Sequence, residues 1–343
     1  MYKVTLSMPI YNVALYVERA LLSALNQTFE SIEFLIVDDK GSDNSMDIVR
    51  RIISEHPRGK DVRIIEHEKN IGLGATRNTA IDNANGEYLF FMDSDDEITP
   101  DCITTLYRLM IEKKVDFIAA SYCHIDDNGY MYMKNEYPDM YVFGKEELAR
   151  LHICNKIRFS ITVWNKLYDI NFLKDNNIRC VSWHLNEDVY FTTTLLSKTG
   201  SCRLISQRTL FYYSRNTSIV GTSKFNYTDF YAKQDCDIID LVKKMICYCD
   251  NKKTFLVFYL ISMIYTTSIK IINSKSICKL DKKKYIKKIS FRYAYFNLLC
   301  TDLINIKYMY ELFIILQPYC LLSLYAKRMD FYIKQAFEKM LNR

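Results

Sequence analysis

The stretch Asp93-Ser94-Asp95-Asp96 sets three carboxylates directly behind Gly86-Glu87-Tyr88-Leu89-Phe90-Phe91-Met92, which reads as a turn followed by a buried strand. Aspartate is a poor strand former and costly to bury unpaired, so such a cluster calls for a cation or several donors. In open α/β sheets the carboxyl end of a strand is where ligands bind. Hard oxygen ligands in such small number suit Mg2+ or Mn2+, which keep open positions for substrate phosphates. Capping the helix that Thr99-Pro100 opens would need one acidic residue and not three. A second acidic pair, Glu187-Asp188, stands before Val189-Tyr190-Phe191. Taken alone it reads as the cap of a helix running to Leu196; as chemistry it offers a general base.

The elements that must position these groups alternate along the first half of the chain. Lys3 to Ile10, Glu33 to Val37, Val62 to Ile65, Glu87 to Met92 and Val115 to Ser121 read as strands. Between them, helical spacing recurs at Val13, Val17, Ala20, Leu21, Ala24 and Leu25, at Met46, Val49, Ile52 and Ile53, over Leu73 to Ala84, and at Ile103, Leu106, Leu109 and Met110. Pro100 takes the favoured first helical position in that last helix. The alternation predicts an α/β fold with a doubly wound, mostly parallel sheet. Each of the first four strands ends in a polar or turn feature, so these features should gather on one rim, the expected nucleotide site. No GxxxxGK[ST] loop is present, and Gly72-Leu73-Gly74-Ala75-Thr76-Arg77 is only half a dinucleotide fingerprint. Arg77, early in a helix and pointed at the acidic rim, makes better sense as a phosphate partner.

Charge and composition divide the chain. Of its 343 residues, Thr222 to Arg343 hold 21 Lys+Arg against 10 Asp+Glu, a net of +11, and the rest holds 25 against 30, a net of −5. No glycine follows Gly221, and Pro318 is the one proline beyond it, so residues 223–343 read as a mostly helical region behind a domain of residues 1–222. Eleven cysteines without a CxxC pair imply reduced buried thiols and not zinc. The strand-like run from Val4 leaves no room for a secretory signal, so a cytoplasmic protein is expected.

Taken together, Met8-Pro9-Ile10-Tyr11-Asn12-Val13, Ala24-Leu25-Asn26-Gln27-Thr28, Val37-Asp38-Asp39, Asn70 to Asn78 and Met92 to Asp96 resemble the family 2 glycosyltransferases of GT-A fold. Val163-Trp164-Asn165-Lys166-Leu167-Tyr168, Asn186 to Phe191 and Tyr212 to Ile219 continue the resemblance in the same order. It implies that Pro9, Tyr11, Val13 and Asp39 or Asp38 line a nucleotide base, usually uridine, with Arg77 near the base or diphosphate. It further implies that Asp93, beside Ser94, touches the ribose, that Asp95 holds the metal, and that Asp188 is the general base with Glu187 beside it. An inverting, single-displacement transfer follows, and the lack of a QxxRW-type motif implies one sugar added per encounter. Lys40-Gly41-Ser42 departs from the family's more usual Gly-Ser-Thr.

Lesser features carry lesser readings. His184 and Trp183 lie near the presumed base, the histidine as a structural or surface residue and the tryptophan as core or as a stacking ring for an acceptor sugar. Asp126-Asp127-Asn128-Gly129 reads as a hairpin turn and not a calcium loop. Thr254 to Ile269 and Leu312 to Ala326, 16 and 15 residues without a charge, fall short of a membrane span and read as core helices. Lys282-Lys283-Lys284 and Lys287-Lys288, with Tyr285, Phe291, Tyr293, Tyr295 and Phe296 nearby, would suit an anionic membrane surface, peripheral on the inner face of the cell membrane. No nucleic-acid motif is present.

These residues together describe a metal-dependent enzyme that moves sugar from a nucleotide-sugar donor to a saccharide or lipid-linked acceptor. A sugar-1-phosphate nucleotidylyltransferase would share the topology, but would want a Gly-rich basic loop where Ile10-Tyr11-Asn12-Val13 stands. A non-catalytic sugar-nucleotide-binding protein is the third possibility, against which the intact acidic motifs count.

Overall fold

The structure, a computed structural model, describes residues 2–133, 136–154, 156–182, 184–214, 226–247 and 254–290. The readings for Trp183, the segment from Arg215 to Ile219, Phe291 to Phe296 and Leu312 to Ala326 lie outside these. The chain divides into two compact units, 1–148 with 157–215, and 149–156 with 216–343.

The first unit is built on a ten-stranded mixed sheet. Strands β1 (Val4–Ile10), β2 (Ile32–Asp38), β3 (Val62–Glu66) and β4 (Tyr88–Phe91) are mutually parallel in the order β3-β2-β1-β4. Helices α1 (Val17–Leu25), α2 (Ser45–Glu55) and α3 (Leu73–Asn83) connect them. Every residue of β1, β2 and β4 is buried, as expected for parallel strands covered on both faces by crossover helices. Each fully buried Phe, Leu or Ile of this core contributes about 1.5–3 kcal/mol. Because the four strands run the same way, their carboxyl ends do share one rim.

Beyond β4 the sheet is mixed. A two-residue strand, β5 (Glu97–Ile98), precedes α4 (Cys102–Glu112), and β6 (Phe117–Ile125) turns back through Asp126–Gly129 into β7 (Met131–Tyr132). The Gly129 amide donates to the Asp126 carbonyl at 2.9 Å, so the expected hairpin turn is present. After β8 (Met140–Phe143) and α5 (Glu147–Ile153), β9 (Lys166–Asp169) inserts antiparallel between β4 and β6. Then α6 (Ile170–Asp175), α7 (Glu187–Lys198) and the long β10 (Ser201–Tyr213) follow, β10 pairing parallel with β6 and antiparallel with β5 and β8.

Two sequence expectations are corrected. Helix α1 starts at Val17 and not at Val13, whose amide instead donates to Ser45 Oγ at 2.8 Å. Helix α4 starts at Cys102, so Pro100 lies outside its first turn; there its carbonyl accepts from the Thr28 amide at 2.9 Å.

In the second unit, α8 (Asp229–Cys247), α9 (Thr254–Asn273) and α10 (Lys279–Ile289) pack on one another. Val242 and Ile239 of α8 and Leu256, Leu260 and Ile264 of α9 are buried. Lys288 pairs with Asp237 at 2.8 Å, and the Lys282 ammonium donates to the Ile272 and Ser274 carbonyls at 2.8 and 2.5 Å. Leu256–Asn273 is long and apolar enough to cross a membrane, with a mean hydropathy of 1.4, but 61% of it is buried, and a core helix meets the same description. Among the described cysteines, Cys102, Cys123, Cys180, Cys202 and Cys236 are buried thiols as expected, whereas Cys154 is half-buried and Cys278 is exposed, against the expected burial.

Candidate active site

The rim formed by the carboxyl ends of β1 to β4 begins with backbone in unusual conformations. Asn12 (φ +51°), Lys40 (φ +58°) and Gly72 (φ +86°) all occupy the left-handed region, which residues other than glycine visit at a cost of about 1–2 kcal/mol. Such strain gathers at functional sites. The conformation at Lys40 also explains why glycine suits the turn after paired aspartates. The Asn12 side-chain carbonyl accepts from the Ser42 amide at 2.7 Å, tying the β1 loop to the β2 loop. Between these loops lies a pocket lined by Ile10, Asn12, Asp38, Lys40, Asp43 and Arg50. Tyr11 stands beside it, 48% exposed, and Pro9 is buried in β1 opposite Val37.

The two neighbouring aspartates have different surroundings. Asp38 borders the pocket and accepts from the Lys40 amide at 2.9 Å. Asp39 is buried and accepts from the Ile71 and Gly72 amides, both at 2.9 Å, and meets His67 Nδ1 at 2.8 Å. Asp39 therefore fastens the loop that leads into α3.

At the end of β4, Asp93 and Asp95 are half-buried and Asp96 is buried, and one ligand atom from each lies within 4.8 Å of the others. Neighbouring elements pin this turn. The Tyr213 amide donates to Asp96 at 3.0 Å, and Arg19 of α1 donates to the Asp95 carbonyl at 3.0 Å while stacking 3.6 Å from the Tyr213 ring centre. Ser94 is buried within the turn. Three hard oxygen donors gathered this closely fit Mg2+ or Mn2+.

Arg77 joins this cluster to the second acidic pair. It is 4% exposed, and its guanidinium donates to Asp93 at 2.7 Å and to Glu187 at 2.6 Å, the latter 110 residues away in sequence. Burial would push the Arg77 guanidinium down, but Asp93 and Glu187 outweigh it and hold it above its ordinary value. Burial pushes the Glu187 and Asp188 carboxyls up, with Arg77 opposing in both cases; the charge of Asp188 adds to the rise at Glu187, and that of Asp93 adds to the rise at Asp188. Glu187 is buried against Arg77, whereas Asp188 is half-buried at the start of α7. Asn186, not Asp188, is the residue before the helix, and it makes no side-chain cap.

Close approach of α3 to Glu187 depends on Gly74. A Cβ at that position would lie 2.1 Å from the Val181 carbonyl oxygen and 3.0 Å from Glu187 Cβ. Gly74→Ala should therefore cost about 1–3 kcal/mol through overpacking, with a lower melting midpoint and a matching loss of function as Glu187 is displaced. A wild-type midpoint for that variant in calorimetry would contradict the packing described.

Lys166 is a site residue that sequence reasoning quoted only as part of a motif. It lies in β9, 2% exposed, and donates to the Thr162 carbonyl at 2.5 Å. Burial pushes its ammonium down to about 7, with Asp188 acting the other way. Thr192, one turn after Asp188 on α7, donates to the Ile161 carbonyl at 2.6 Å, so Lys166 and α7 hold the same loop.

A mixed sheet whose four parallel strands end in loops facing an acidic turn, with helices on both faces, is a GT-A-type nucleotide-sugar fold. Residues 5–175 match the model of glycosyl transferase family 2. The chain belongs to that family and is a glycosyltransferase. The uncharacterized glycosyltransferase YibD of Escherichia coli (strain K12) is 26% identical over 67% of this chain and 68% of its own length. Chondroitin synthase of Escherichia coli is 27% identical over 68% of this chain, which spans only 35% of that protein. S. aureus TarS 1-349, solved in complex with UDP-GlcNAc, superposes with a TM-score of 0.55 at 18% identity over 92% of this chain and 79% of that one, a likeness of fold.

Proposed function

We propose that this glycosyltransferase moves a sugar from a UDP-linked donor to a saccharide or lipid-linked saccharide acceptor by a single inverting displacement. The observation that supports this reading is the Arg77 bridge, whose guanidinium hydrogen-bonds both Asp93 of the acidic turn and Glu187 of the second acidic pair. The base of the nucleotide would lie against Pro9, Tyr11 and Val13, with Asp38 and Asp39 at its edge, and Asp93 with Ser94 would meet the ribose. Asp95, supported by its neighbours, would hold Mg2+ or Mn2+, which when bound neutralises charge on the leaving diphosphate. Asp188 accepts the acceptor hydroxyl's proton as attack proceeds, because as a residue it is the more exposed of the pair and the ion pair of Arg77 goes to Glu187. Glu187, held by Arg77, orients the start of α7. TarS bound to UDP-GlcNAc and the polysaccharide-synthase relatives support a nucleotide-sugar donor and a saccharide acceptor. A thermal-shift screen of nucleotide sugars with Mn2+ tests this: UDP-sugars should raise the midpoint, since ligands that bind the native state stabilise it. A midpoint unmoved by every nucleotide sugar would count against the reading.

The +11 charge of the C-terminal region motivates a membrane-surface role on the cytoplasmic side. Lys283, Lys284 and Lys287 of α10 are exposed. The protein should co-sediment with anionic vesicles at low salt and release at high salt, each basic residue near the surface adding about 1 kcal/mol. Replacing those three lysines with Gln should weaken binding without unfolding; a wild type that ignores anionic vesicles contradicts the role.

A further inference from the structure

A file of aromatic rings leads away from the acidic turn. Tyr212, the residue before the Tyr213 amide that holds Asp96, stacks on Trp164 with ring centres 5.5 Å apart and meets His124 edge-on at 5.2 Å. His124 stacks on Tyr132 at 5.0 Å, the two being cross-strand partners in the β6–β7 hairpin. Tyr132 in turn lies parallel to Tyr130, with ring centres 6.4 Å apart and planes 16° from coplanar.

The inner and outer rings differ in exposure. His124 and Trp164 are buried and belong to the core, but Tyr132 is 36% exposed and Tyr130 68%. Alternation along the strand puts Tyr130 and Tyr132 on one face, which continues the plane of His124. The hairpin does not need them to close, since Asp126 accepts from the Asn128 and Tyr130 amides at 2.9 Å each.

From this continuity and from the charge around it, we propose that Tyr130 and Tyr132 form a platform on which the acceptor saccharide stacks. The inference rests on the glycosyltransferase reading of the acidic site. A pyranose ring has an apolar C–H face that lies flat on an aromatic ring and a rim of hydroxyls that tyrosine OH groups can meet. Tyrosine supplies such a face at small cost in side-chain entropy. Asp126 and Asp127 at the turn, and the acidic cluster at the other end, would repel a phosphate backbone, so a neutral sugar chain fits and nucleic acid does not. Two exposed rings also make too small a patch for a stable protein partner.

The test uses the full chain on a glycan array of neutral and acidic oligosaccharides, with UDP binding in the presence of Mn2+ measured in parallel by calorimetry. Wild type should bind neutral oligosaccharides, and Tyr130→Ala with Tyr132→Ala should lower that signal at least about tenfold, as two lost stacking rings would. UDP affinity should stay at the wild-type value in that variant, and Tyr132→Phe should retain most of the glycan signal. Unchanged glycan binding by the double variant, or a wild type that binds UDP but no array glycan, overturns the platform. Glycan binding that depends on the two tyrosines in a protein that binds no UDP supports the platform and overturns the donor reading.

Discussion

Asp188→Asn should lower turnover by at least about a hundredfold while leaving affinity for UDP and metal at the wild-type value. General-base assistance contributes about 10²–10⁴-fold, and asparagine keeps the size and hydrogen bonds of the side chain while removing its basicity. The separation is expected because Asp188 is not one of the carboxylates of the Asp93-Asp95-Asp96 cluster, and the ion pairs of Arg77 go to Asp93 and Glu187. A pH profile sharpens the result. Burial raises the Asp188 carboxyl, with Arg77 opposing, so its base form appears above the ordinary carboxylate range of about 4. Turnover should thus rise with pH through that raised value, and the variant should lose this limb. Glu187→Gln should reduce turnover less, through a loosened Arg77. If Glu187→Gln abolishes transfer and Asp188→Asn does not, the two roles are exchanged; full activity in both would make the segment a helix start alone.

Asp95→Ala should abolish the enhancement of UDP binding by Mn2+ and reduce turnover to background, with the fold intact. The turn that carries it is held independently, by Tyr213 on Asp96 and by Arg77 on Asp93, so removing one carboxylate leaves its neighbours in place. Asp93→Ala is a different experiment, since it strands the buried Arg77 with one partner, and loss of a buried ion partner costs about 3–5 kcal/mol. It should lower both stability and nucleotide affinity. Calorimetry showing wild-type UDP affinity with Mn2+ in Asp95→Ala would remove that residue from the metal site.

Much of this arrangement was legible in the sequence where the physics is local. The period of apolar residues gave the parallel strands and their helices to within a few residues, and Asp93 to Asp96 announced a rim because carboxylates do not follow a buried strand without cause. What was not legible depends on pairing between distant segments. The antiparallel insertion of β9 between β4 and β6 leaves no trace in periodicity, and Lys166 within it looks like a surface residue until its burial is seen. Strand β10, 13 residues long, alternates poorly because its neighbours change from β8 to β5 along its length. Arg77 read as a phosphate partner because its position in α3 was visible, whereas Glu187, which takes one of its nitrogens, lies 110 residues on.

The measurement closest to the central claim follows the nucleotide. The protein is incubated with UDP-sugars and Mn2+, and separately with UTP and a sugar-1-phosphate, and the released products are separated. The account predicts UDP from the UDP-sugar, slow without an acceptor saccharide, faster with one, and lost on chelation of the ion. Pyrophosphate from the UTP mixture, with no UDP from any nucleotide sugar, would contradict it and point to nucleotidyl transfer at the same acidic turn.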